Sequence, residues 1–259
     1  MPSFSMKFRN PFLTRSAQIL GVIGALILVS VAACTTVTPP SPTPTATALP
    51  TLTPSPQPTA TAVLPKPGLP EGDFSLKDIN LAFKATLRGQ GDLVVVMANQ
   101  GNNDTYRWEP LAKKLVDKGF VTVNFTYATA EMGSATTELD QVLDYLVQRG
   151  KYQRIVCIGG SMGGTACGSE SWRAEIVGMA LLAGGDAPNL SEAKFPKLFV
   201  AGEFDGCCVD FMRTAYERAA EPKELKIFPG TGAHAVDLFG SEFSDELTDM
   251  LVKFVEKLR

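Results

Sequence analysis

Gly159, Gly160, Ser161, Met162 and Gly163 spell GxSxG directly after the apolar run Arg154 to Gly159. Glycines at those flanks allow a sharp strand-to-helix turn that lifts a serine hydroxyl clear of the backbone. A serine hydroxyl is a weak nucleophile at neutral pH and needs a neighbouring base, usually histidine. The chain contains one histidine, His234, in GTGAHAV beyond the last apolar run. The plainer reading of that residue is a surface-loop histidine. A third group, a carboxylate, must orient the imidazole and stabilise its charged form. Asp205 in VAGEFDGCC stands after an apolar run and before His234, with Glu203 and Asp210 as close rivals and Asp186 as a more distant one. The chemistry open to such a trio is attack on an acyl carbonyl with His234 shuttling the proton.

These residues need a scaffold that brings them together, and the patterning describes one. Short apolar runs at Leu93 to Ala98, Val121 to Tyr127, Arg154 to Gly159, Ile176 to Ala183, Lys197 to Gly202 and Leu225 to Pro229 read as strands buried on both faces. Ile79 to Arg88 alternates like an edge strand. Between them lie helical candidates: Trp108 to Lys118, Ala135 to Arg149, a segment after Ser161, Val209 to Ala220 and Ser241 to Leu258. The last carries Phe243, Leu247, Leu251, Phe254 and Leu258 along one stripe. This alternation predicts an α/β fold, a mostly parallel sheet covered on both sides, with ligands at the carboxyl ends of the strands.

Ser161, Asp205 and His234, in this order on this alternation, resemble the α/β-hydrolase family over about Ile79 to Leu258. The stretch VVVMANQGNNDTYRWEPLAKKLVDKGFVTVNFTY resembles the family's strand, oxyanion loop, helix and next strand. Where relatives carry a His-Gly pair, this chain has Asn99 and Gln100, followed by Gly101. The resemblance implies a serine esterase of the dienelactone hydrolase type. Its oxyanion hole would be formed by the backbone N–H groups of Met162 and Gln100, with Gly101 in reserve for the second. The short connection between Ala183 and Lys197 implies no inserted lid domain and an open site for small, solvent-accessible esters. Neither an organic cofactor nor a metal is implied. The same trio could also serve a peptidase or an acyltransferase, the fold could act as a non-catalytic binding module, and Cys167 is a mechanistically distinct nucleophile.

The chain has 259 residues, and its first segment has a different character. Lys7, Arg9 and Arg15 precede an apolar run from Ala17 to Ala33, the layout of a signal peptide over residues 1–33. The run ends in VAAC, which resembles a bacterial lipobox and implies lipidation at Cys34. The alternative is a plain transmembrane helix; both place the remainder outside the cytoplasm. Thr35 to Pro70 is Pro, Thr, Ser, Ala and Leu in the main and holds eleven of the eighteen prolines, so it cannot bury enough apolar surface to fold. Residues 34–72 read as a lipidated tether with a reach of at most about 100 Å, and residues 73–259 as the catalytic domain. Without the signal, 21 basic face 27 acidic side chains, a net charge of −6 that argues against nucleic acid as a partner.

Four further cysteines follow Cys34. Cys157 sits inside a strand and reads as a small buried apolar residue. Cys167 follows the serine by six residues, and Cys207 and Cys208 follow Asp205 by two and three, so both segments begin near one site. Outside the cytoplasm this permits a disulfide from Cys167 to Cys207 or Cys208, with free thiols or a vicinal bridge as alternatives. A zinc site is disfavoured, since no histidine is spare and no CxxC occurs.

Overall fold

In a computed structural model of the protein, the described residues are 68–78, 81–129, 131–185 and 187–259. The signal segment, Cys34, the greater part of the tether and Asp186 lie outside them, as does the side chain of Cys207. The strands are β1 (Gly72–Asp78), β2 (Leu81–Arg88), β3 (Leu93–Ala98), β4 (Val121–Phe125), β5 (Arg154–Gly160), β6 (Ile176–Leu182), β7 (Lys197–Gly202) and β8 (Lys223–Phe228). The helices are α1 (Glu109–Asp117), α2 (Met132–Gln148), α3 (Met162–Ser169), α4 (Gly206–Arg218) and α5 (Ser244–Glu256).

The strands form one eight-stranded sheet in the order β1-β2-β4-β3-β5-β6-β7-β8, antiparallel at β1–β2 and β2–β4 and parallel from β4 to β8. Its central strands are apolar without interruption because both faces are covered. In β3, Val94, Val96 and Ala98 pack towards the layer holding α2, α3 and α4, while Leu93, Val95 and Met97 pack towards α1 and α5. The chain runs from β3 outward to β4 and returns to β5 on the other side of β3. The topological switch therefore falls between β3 and β5, where such sheets open a crevice at their carboxyl ends.

The edge position belongs to β1, not to the run around β2 as the alternation suggested. β2 keeps its alternation because only one of its faces is covered: Phe83, Ala85 and Leu87 are buried while Lys84 and Arg88 are exposed. In GDFSLKD only Phe74 and Leu76 are apolar, too few to mark β1 as a strand in the sequence. The connection from β6 to β7 contains one 3-10 turn, Pro188–Ser191, and no inserted domain. Among the described residues no helix is long and apolar enough to cross a membrane.

The cysteine pairing also differs from expectation. Cys157 and Cys167 form a disulfide, with Cα atoms 5.8 Å apart. Cys157 points from β5 into the same layer that receives α3, so the turn at Ser161 carries Cys167 back over it. Spacing from the active site had suggested a partner near Asp205, but strand parity decides the pairing. Cys167 is thereby excluded as a nucleophile, being oxidised and fully buried, and Cys208 is in the thiol form.

Candidate active site

The carboxyl ends of four parallel strands deliver the candidate residues: β3 leads into Asn99 and Gln100, β5 into Ser161, β7 into Asp205, and β8 into the loop bearing His234. Ser161 is the hinge between β5 and α3 and adopts φ 50°, ψ −114°. A non-glycine residue in that region is strained, and such strain persists only where the surroundings over-determine it. Here they do. The Ser161 N–H donates to Leu182 O at 2.8 Å, and its carbonyl accepts from Thr165 N at 3.0 Å. A Cβ on Gly163 would overlap the Ala98 carbonyl, so only glycine lets α3 start this close to β3.

The histidine loop lies beside this turn. A Cβ on Gly160 would come within 2.8 Å of Val236 Cγ1 and 3.4 Å of Ala235 Cβ, the two residues after His234. His234 Nδ1 is 3.0 Å from both Asp205 carboxylate oxygens. The loops carrying the pair are tied together, with Phe204 N donating to Thr231 O at 2.8 Å and Glu203 N donating to Phe228 O at 2.9 Å. Asp205 occupies the N-cap position of α4 yet makes no side-chain cap bond, which leaves its carboxylate for His234. Of its rivals, Glu203 is exposed and accepts from Gly230 N at 2.8 Å, and Asp210 is exposed.

Burial pushes the Asp205 carboxyl above its ordinary value; the hydrogen bond and charge of His234 pull it back in part, and nearby Asp237 adds to the rise. The imidazole is about one-third exposed, while the Asp205 side chain is 8% exposed. The carboxylate is sheltered while the imidazole is open to solvent.

Met162 is the first residue of α3, so its N–H is among the helix-start donors that no intrahelical carbonyl satisfies. In the facing loop, Gln100 is held from two sides: its carbonyl accepts from Asn103 N at 3.0 Å, and its Nε2 donates to Asp237 at 3.4 Å. Asn99 Oδ1 accepts from Trp108 Nε1 at 3.0 Å. Among the described residues Asn99 Nδ2 and Gln100 Oε1 are buried without a hydrogen-bond partner. Asp237 and Trp108 thus set the loop. Sequence reasoning passed over both, although a buried tryptophan N–H needs an acceptor and could have pointed to Asn99. Cys208, three residues after Asp205, is brought to the same corner.

The sequence matches no protein-family model and no curated protein. Likeness to solved structures is extensive. A dienelactone hydrolase from Anabaena variabilis superposes with a TM-score of 0.61 at 18% identity, covering 73% of this chain and 97% of that one. Est1E from Butyrivibrio proteoclasticus gives 0.60 at 13% identity over 72% and 98%, and an esterase from Exiguobacterium antarcticum 0.59 at 14% over 71% and 99%. With the strand order, the serine turn at the end of β5 and these superpositions in hand, the described part of the chain has the α/β-hydrolase fold.

Proposed function

We propose that the protein is a serine hydrolase that cleaves a carboxylic ester of a small, solvent-accessible substrate through an acyl-enzyme. Ser161 attacks the carbonyl carbon, His234 Nε2 takes the hydroxyl proton and returns it to the leaving alcohol, and Asp205 holds the imidazole and stabilises its cationic form. Water, activated by the same histidine, then releases the acid. The backbone N–H groups of Met162 and Gln100 receive the developing oxyanion; a donor of this kind is worth about 3 kcal/mol in the transition state.

One observation carries the reading: a serine held at φ 50° at the end of β5, beside the loop of a histidine already paired with a buried carboxylate. The likeness to a dienelactone hydrolase and to esterases supports the class. The short β6–β7 connection supports an uncovered site. We further propose export and anchoring through Cys34, which the Cys157–Cys167 disulfide supports, since such bonds persist in oxidising compartments.

The test is labelling with a fluorophosphonate, followed by a panel of p-nitrophenyl esters and aminoacyl arylamides. Labelling is expected in the wild type and lost in Ser161→Ala, with esters turned over and arylamides not. An intact wild-type protein that stays unlabelled overturns the hydrolase reading, and arylamide turnover converts it to a peptidase.

A further inference from the structure

We infer that Asp205, Cys208 and His234 form a binding site for a borderline-soft divalent cation, Zn2+ in the first instance, whose occupation switches the catalytic base off. Each residue offers one ligand atom, and these atoms lie within 4.8 Å of one another. Zinc bonds of about 2.0–2.3 Å place tetrahedral ligands roughly 3.3–3.7 Å apart, so side-chain shifts of about 1 Å close the trio on one ion. The placement follows from the fold. Asp205 is the N-cap of α4, and Cys208 N donates to its carbonyl at 2.9 Å, so the two side chains leave the same first turn. His234 arrives from the β8 loop with Nδ1 towards the carboxylate. Thiolate, imidazole and carboxylate together select zinc-like ions over magnesium or calcium. With the imidazole about one-third exposed, water can complete the shell.

Sequence reasoning set zinc aside because no histidine was spare; the site needs none, because it uses the catalytic one. In the working state Asp205 keeps the histidine proton on Nδ1 and leaves the Nε2 lone pair for Ser161. When Zn2+ takes Nδ1, that proton moves to Nε2 and the Cys208 thiol releases its proton to solvent. Nε2 then carries a hydrogen and has no lone pair with which to accept one from Ser161. The binding is independent of the hydrolase reading, and only its effect on turnover rests on it.

The experiment is calorimetric titration of the full chain with Zn2+, alongside Cys208→Ser, with fluorophosphonate labelling at each zinc concentration. One Zn2+ is expected to bind, at least tenfold more weakly in Cys208→Ser, and labelling should fall with the same midpoint as binding. As a check on folding, Co2+ should give a thiolate-to-metal absorption band in the wild type that is missing in Cys208→Ser while both melt alike in chelator. Equal zinc affinity in the two proteins, or no thiolate band, overturns the site. Cys208-dependent binding in a protein that no probe labels keeps the site and removes the hydrolase reading; labelling indifferent to bound zinc overturns the switch.

Discussion

Asp205 has two consequences that separate cleanly. In the proposed mechanism it fixes the imidazole tautomer, so Asp205→Asn should lower kcat about 10⁴-fold, with ester hydrolysis as the measure. As a buried acid whose folded pKa is raised, it binds protons more tightly in the folded than in the unfolded chain. Stability therefore falls as pH rises from the ordinary carboxyl value through the raised one. Asp205→Asn should be more resistant to urea than the wild type at neutral pH, and the gap should close as the solution is acidified through that window. At this scale much was legible: a GxSxG turn, one histidine and a carboxylate after the right strand. Glu203 could be set apart from Asp205 only in three dimensions, where it is seen tied to the Gly230 turn. The two sulfurs that pair were not legible, because which side of β5 receives α3 is not written in their spacing.

Two devices hold the elements around the serine. The disulfide closes a ten-residue separation that contains Ser161. In the chain-entropy account a loop of that size contributes about 3 kcal/mol, so the Cys157→Ala/Cys167→Ala protein should lose about that much in urea unfolding. The second device is Arg173, 8% exposed at its side chain, which pairs with Asp140 and with Asp144 at 2.6 Å on α2, with Glu170 at 2.9 Å after α3, and with Glu175 at 2.6 Å before β6. Its charge is held firmly by those four acids, while burial pushes Glu170 upward. Removing the cation leaves the buried Glu170 without its counter-charge, so Arg173→Met should cost about 3 kcal/mol in the same measurement. The helix between these devices, MGGTACGS, has almost no helix-forming composition. Its position after the serine announced it; its residues did not. The alternating β2 was legible as a strand but misplaced at the edge, since one-sided burial looks the same with or without a neighbour.

For the whole molecule, the sequence divides into a proposed anchor, a proposed tether of mostly proline and threonine, and an acidic body with the α/β-hydrolase fold. If Cys34 is the lipid attachment point, Cys34→Ser should abolish palmitate incorporation and move the protein from the membrane to the soluble fraction, with kcat/KM on a soluble ester unchanged. The alternation of strands and helices was readable along the chain because a sheet covered on both faces demands long apolar runs.

Both sulfurs of the Cys157–Cys167 bond are wholly shut away from solvent. Glutathione and thioredoxin can therefore neither make nor break it in the finished protein without prior opening. Its oxidation state is a memory of the surroundings in which the chain first closed, and material produced in a reducing cytoplasm and later moved to air would differ lastingly, behind the Ser161 turn, from material folded in an oxidising compartment.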